Sequence, residues 1–393
     1  RLFSTIRFLK KLSIAFYIFQ IYQNIIACIR YFKNIKFIHQ TIFSMRNYIN
    51  TSITNFKNLL NYTGTLVSYD KFNKSITYNI DILTNYYNKL LNINEYKVNL
   101  KKLLELGNIM ECFYKLHDDE NLIQAIYFSF SCNGYIKNIN SIQKLLKNND
   151  MNYCTYIEST DTTAKSDTKS DVKTTFTNSY YGLLLNDKDN DNNIVKNSYT
   201  LNNNLILTGP NAAGKTTVLK STLFNIILCQ QIGCGFFDEA KIKIYDFIHC
   251  YINIPDTSNR DSLFQAEARQ CKNILSIIEE NKDKSHFCVF DELYSGTNPE
   301  DAINSAHSYL KHLNSNSNIN YILTTHYHKL CKKLDKSSSK NYHMHIKKYD
   351  DSDDFKFTYK LKKGISKIKG GLKVLKDLEY PDHIIKTIEN NRK

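Results

Sequence analysis

Tryptophan is absent from these 393 residues, no proline precedes Pro210, and the ten cysteines include no C-x-x-C pair. No His cluster at zinc-finger spacing accompanies a C-x-x-C pair. The thiols read as reduced groups of a soluble intracellular protein, nuclear or cytoplasmic, and no cleavable signal peptide is evident. Missing tryptophan beside heavy use of Tyr, Asn, Ile and Lys reflects an AT-rich coding bias and carries no function. Long apolar runs are scarce. The most apolar window, Leu12 to Ile29, is interrupted by Gln20, Gln23 and Asn24 and flanked by Lys10, Lys11 and Arg30. A membrane span prefers about 20 predominantly apolar residues, so the window reads as a buried or interfacial helix, and no stable membrane insertion is expected. The rival reading is an anchor.

What is present suits an ordered, multidomain protein. Hydrophobic residues make up 42% and charged residues 23% of the chain, which excludes global disorder. The length allows two or three domains. A net charge of +14 favours an anionic partner such as nucleic acid or an anionic membrane surface, or it reflects a lysine-rich coding bias.

Residues 1–150 repeat apolar positions at helical spacing. Leu100, Leu103, Leu104 and Gly107 continue into Ile109, Met110 and Phe113, which predicts packed helices. From Thr155 to Asn178 the composition turns to Ser, Thr, Asp and Lys, and Asp187 to Asn193 is dense in Asp and Asn. Residues 151–200 therefore read as a polar insertion or linker. Beyond Leu201, short apolar runs alternate with helical patterns, which predicts a mainly parallel, doubly wound α/β sheet.

The segment Gly209-Pro210-Asn211-Ala212-Ala213-Gly214-Lys215-Thr216-Thr217 contains G-x-x-x-x-G-K-[ST] between the predicted strand Leu205–Leu207 and a predicted helix. That is the context a P-loop requires. Its two glycines let backbone N–H groups surround phosphate oxygens, and the helix points its positive end at the same anion. Lys215 supplies a cation for the β/γ-phosphates and Thr216 a hydroxyl for Mg²⁺. The apolar run Phe287–Phe290 ends in Asp291-Glu292. Asp291, at the carboxyl end of a strand expected beside the P-loop strand, can reach Mg²⁺ through water, and Glu292 can polarise attacking water. His326 closes the run Leu323–Thr325, where a polar group can sense the γ-phosphate.

In their order and spacing, Thr208–Thr217, Phe290–Asn298 and Thr324–Tyr327 resemble the Walker A motif, the Walker B motif with its D-loop, and the switch histidine of the MutS family. Gly233–Ala240, Ser262-Leu263-Phe264 with Glu267, and Gly370-Gly371 with Leu378–Asp382 are weaker matches in fitting places. The likeness covers roughly Tyr180 to Glu389. It implies an α/β C-terminal P-loop (ABC-type) ATPase domain over 201–393, joined to a mostly α-helical core or lever-like N-terminal region. It also implies that Asn211, Lys215 and Thr216 hold ATP and Mg²⁺, that Asp291 and Glu292 orient metal and water, and that His326 couples hydrolysis to conformation. Ser262 would reach across a homo- or heterodimer interface to the partner's γ-phosphate. Ala213 and Asn298 depart from the usual Gly or Ser and Ser, and neither change removes a catalytic group. The implied function is an ATP-driven dimeric clamp on duplex DNA in mismatch repair or related DNA metabolism. No aromatic-x-Glu wedge of the mismatch-reading kind stands in a fitting N-terminal context, which keeps open a MutS-like ATPase acting on branched DNA, RNA or ribosomes. Lys360, Lys362, Lys363, Lys367, Lys369, Lys373 and Lys376 would give a helix a phosphate-contacting or merely solvated face.

Overall fold

The computed structural model describes residues 2–96, 101–157, 173–186, 194–201, 204–252, 254, 262–334, 339–348, 355–366, 375–376 and 378–390. It divides within one helix, at Gln143/Lys144, into two compact units, where the sequence pattern places the change at residue 150.

Among the described residues, the first unit holds four α-helices: α1 (Leu2–Thr63), α2 (Asp70–Leu90), α3 (Lys101–Asp118) and α4 (Glu120–Lys147), the last running across the division. The stripe Ile42, Ile49, Ile53 and Phe56 of α1 is buried against Ile76, Ile80 and Leu83 of α2, Ile109 and Cys112 of α3, and Leu122 and Ala125 of α4. Met110, expected in the stripe, is 42% exposed, and Cys112 takes the inward place. Leu100 lies outside the described residues, as do the side chains of Leu103 and Leu104.

The apolar window near the chain start is helical but not buried: Leu12, Phe16, Phe19 and Ile25 are 57%, 67%, 56% and 53% exposed. Length explains the difference. At about 1.5 Å per residue the 62-residue α1 far outreaches α2, α3 and α4, with 21, 18 and 28 residues. Their apolar stripes therefore cover only its later turns. Among the described residues, α1 is the one helix long and apolar enough to cross a membrane.

The second unit is built around a six-stranded sheet. Its strands, in chain order, follow β1 (Asn152–Tyr153), β2 (Thr155–Tyr156), β3 (Thr174–Ser179) and β4 (Asn197–Leu201). They are β5 (Asn204–Thr208), β8 (Phe247–Tyr251), β9 (His286–Asp291), β10 (Ile319–Thr325), β11 (Ser339–Lys348) and β12 (Phe355–Lys363), with β6 (Cys234–Gly235) and β7 (Glu239–Ile242) between β5 and β8. Across the sheet the order is β12-β11-β5-β10-β9-β8, and every neighbouring pair is parallel except β11/β12.

Both faces are covered because successive side chains point to opposite sides of a strand. Leu205, Leu207, Phe287 and Val289 pack against α5 (Lys215–Ile232) through Leu219, Leu223 and Ile226. Ile206, Cys288, Phe290 and Leu323 pack on the other side against α6 (Leu263–Glu280), α7 (Pro299–Asn314) and α8 (His328–Leu334). The expected mainly parallel, doubly covered sheet is present.

Two expectations need correction. Residues 151–200 do not behave as a linker at their described ends, since β2-β7-β3-β4 form a second sheet. Phe176 and Tyr199 from that stretch are buried with the α5 core. Threonine-rich composition hid β3, although Thr is itself a strand former; residues 158–172 and 187–193 lie outside the described residues. The basic run is not one helix: Lys360, Lys362 and Lys363 sit on edge strand β12, while Lys367, Lys369, Lys373 and the pair Gly370-Gly371 lie outside the described residues. The last described element is α9 (Asp382–Asn390), entered through Pro381.

Candidate functional site: a phosphate-binding loop facing an acidic strand end

β5 delivers the chain to the loop at Thr208, and α5 begins seven residues later at Lys215. Gly214 caps α5 in a left-handed conformation, φ 93°, and an added Cβ would come within 3.2 Å of Tyr359 Cδ1. Both features call for glycine. Ala212 is also left-handed, φ 62°, a strain typical of loops that must aim their N–H groups inward.

The Lys215 side chain is 5% exposed. It donates to Gly209 O (3.0 Å), Pro210 O (3.2 Å) and Asn211 Oδ1 (3.4 Å) and lies 3.7 Å from Glu292 Oε1. Burial pulls its pKa below the ordinary lysine value, with Glu292 and then Asp291 opposing the shift. The Thr216 hydroxyl donates to both Asp291 carboxylate oxygens, at 3.2 and 3.1 Å. Thr324, on the adjoining strand, donates to Asp291 as well.

The acidic strand is not beside β5, as the sequence pattern suggests. β10 lies between β5 and β9, in register through Leu207↔Thr324 and Thr324↔Asp291. The first turn of α5 spans that extra strand, which is how Thr216 meets Asp291.

After β9 the chain turns sharply: Glu292 and Tyr294 are left-handed at φ 52° and 58°. Glu292 N–H donates to Thr324 O (3.1 Å) and Oγ1 (3.2 Å). His326 Nδ1 lies 3.9 Å from Glu292 Oε1. Lys215, Thr216, Asp291, Glu292 and His326 thus converge at the carboxyl ends of three parallel strands. Ser262 caps its own helix instead, accepting from Gln265 N–H (3.3 Å) while its N–H donates to Gln265 Oε1 (2.9 Å). Leu263, not Ser262, is among the residues lining the adjoining cavity.

That cavity has a volume of about 730 Å³, the scale of a small-molecule site. Pro210 to Thr217, Ala213 excepted, line it with Asp291 and Glu292, together with Tyr180, Tyr181, Tyr199, Met344 and Tyr359. The aromatic wall, Thr324 and the loop contacts of Glu267 were not legible as site features beforehand. The tyrosines are dispersed in sequence, and only the Thr-Thr-His run at 324–326 signalled polar groups at a strand end.

The family model of MutS domain V matches residues 205–393. Over these residues the chain is similar to the MutS family. Its similarity extends to the DNA mismatch repair protein MSH2 of Saccharomyces cerevisiae, 31% identical over 210 residues, which are 50% of this chain and 21% of that protein. The DNA mismatch repair protein MutS of Persephonella marina is 30% identical over 197 residues, covering 49% of this chain and 22% of that one. MutS of Listeria monocytogenes serotype 4b is 29% identical over 196 residues, again 49% and 22%. The matched part therefore spans about a fifth of these relatives' length. MutS domain V begins within β5 and takes in the phosphate loop, the acidic strand end and His326.

Proposed function

We propose that this chain is a MutS-type ATPase that hydrolyses ATP with Mg²⁺ at the Gly209–Thr216 loop. The observation that carries the reading is the convergence of a buried lysine, a hydroxyl and two carboxylates at parallel strand ends: Lys215, Thr216, Asp291 and Glu292. The donor set suits the ligands. Thr216 and Asp291 are hard oxygen donors within 3.2 Å of each other, the type Mg²⁺ takes. The loop N–H groups and the α5 terminus suit a polyphosphate, and the aromatic wall suits a base.

Bound Mg²⁺ supplies charge neutralisation on the phosphate oxygens. Lys215, now resting on neutral carbonyls, binds an anionic phosphate oxygen in their place. Asn211 orients the Lys215 ammonium. Glu292 accepts hydrogen bonding from the attacking water and aligns it. His326, within reach of Glu292, relays the state of the γ-phosphate to α8. Ser262 completes the site on a second copy or a related chain, so the working unit is a dimer. We place this ATPase in a nucleotide-driven clamp on duplex DNA, in mismatch repair or related DNA metabolism, in keeping with the relatives' names.

Lys215→Ala and Glu292→Ala should each lower ATP turnover at least ~100-fold; unchanged turnover in either variant refutes that residue's assignment. Matched and mismatched duplexes should be compared at one fixed salt concentration. Tighter binding of the mismatch is expected, and equal affinity would sink the mismatch role.

A further inference from the structure

Glu267 lies in the second turn of α6, is 2% exposed and lines the same cavity as Asp291 and Glu292. A buried carboxylate is costly unless its oxygens are hydrogen-bonded. Here both oxygens are used. Oε1 accepts from Ser295 N–H (3.1 Å) and Ser295 Oγ (3.0 Å), and Oε2 accepts from Gly296 N–H (3.1 Å).

Those three donors belong to the turn after β9, the strained segment in which Glu292 and Tyr294 are left-handed. Such conformations persist only where the surroundings over-determine them. Two further contacts tie the turn to the start of α6. The Phe264 and Tyr294 rings pack with centroids 5.8 Å apart. Gly296 approaches so closely that an added Cβ would lie 2.7 Å from Leu263 Cγ and 2.8 Å from Phe264 N. Residues 262–267 and 292–296 are therefore packed against each other, and Glu267 supplies their charged link.

We propose that Glu267 is a positioning residue for Glu292, and that through it the start of α6 sets the alignment of the water-orienting carboxylate. This rests on the ATPase reading above and deepens it. A ligand contacting the α6 start, such as the triphosphate bound by a second copy, then changes the hydrolytic competence of this copy's own site without touching it.

The test is ATP hydrolysis and equilibrium binding of a fluorescent ATP analogue by the full chain, with thermal melting as a fold control. Glu267→Gln keeps the side-chain shape but replaces one accepting oxygen with an N–H₂ group. It should leave nucleotide Kd within about twofold and lower kcat by about 10- to 100-fold, the scale of a misplaced catalytic group. In single turnovers on a Glu292→Ala background the same substitution should produce no further loss, because its effect runs through Glu292. An unchanged kcat, a Kd that rises by the same factor as kcat falls, or a full additional loss on the Glu292→Ala background would each overturn the proposal. If Glu267→Gln does not fold, Ser295→Ala takes its place, since it deletes one of the three bonds and keeps both backbone donors. It should lower kcat severalfold at unchanged Kd, and a wild-type kcat there overturns the proposal. Absence of hydrolysis by the wild-type chain is a separate outcome: it rejects the ATPase reading and this inference with it.

Discussion

Single residues here are governed by how each buried polar atom is satisfied. His249 and His286, on neighbouring strands β8 and β9, contact through Nε2 and Nδ1 at 3.0 Å, and His286 Nε2 donates to Asn281 O at 2.9 Å. That second bond leaves His286 Nδ1 as the acceptor, so His249 is the donor of the pair. Burial, then the adjacent His286, lowers the His249 pKa from 6.5 to about 4. The unfolded chain therefore takes up this proton first. The pair's contribution is intact above pH 6.5 and drains away as the pH falls toward 4, an effect of up to about 3 kcal/mol. Urea unfolding at pH 7 and pH 5 should show the wild-type midpoint falling on acidification, and His249→Gln, which keeps a donor at the Nε2 position, should flatten that fall. An equal acid dependence in both chains would assign the loss elsewhere. Nothing in the sequence pairs these histidines, because 37 positions separate them and only strand register brings them together.

Helices and strands divide the site's work: strands aim side chains at the crevice and helix starts hold the loops. α7 opens on Asn298, whose side-chain oxygen accepts from Glu300 N–H (3.1 Å) and Asp301 N–H (3.0 Å), with Pro299 at the first helical position. Asn is as good a cap as the Ser usual in the family at this point, so this departure costs nothing structurally. Asn298→Ser should be neutral within about 0.5 kcal/mol, and Asn298→Ala should cost about 1 kcal/mol of stability. Denaturant midpoints measure both, and an Ala variant as stable as wild type would deny the cap its role. Gly214, Lys215 and Thr216 were readable as a unit because a contiguous motif encodes a contiguous loop. Thr324 and Glu267 were not, because their partners lie 33 and about 30 positions away and chemistry at that range depends on sheet order.

For the whole molecule, the decisive question is whether two copies share a site. Under the proposed arrangement, a Lys215→Ala chain lacks a working phosphate loop and a Ser262→Ala chain lacks the group offered to its partner. Each alone should hydrolyse ATP poorly. Mixed, they form a heterodimer in which the intact loop of one meets the intact Ser262 of the other, so turnover should rise well above the sum of the separate rates. No gain on mixing, with dimers present by sedimentation, would confine Ser262 to capping its own helix. The exposed apolar turns of α1, from Leu12 to Ile29, belong to the same scale. Periodicity identified a helix there, but burial depended on whether neighbouring helices were long enough to cover it.

The sequence alone determined what is local: the glycine-rich loop before α5, the acidic strand end, the histidine after β10, the alternation of strands and helices, and through them the likeness to the MutS family. Each is written in contiguous residues whose spacing is set by helix and strand geometry. Only the tertiary structure decided what depends on which segments become neighbours. It put β10 between the loop strand and the acidic strand, drew β3 and β4 into a second sheet, and left the Leu12–Ile29 turns of α1 uncovered. It also set the buried carboxylate of Glu267 beneath the strained turn that carries Glu292. Those outcomes follow from long-range pairing and packing, where a residue's environment is supplied by atoms far away in the chain.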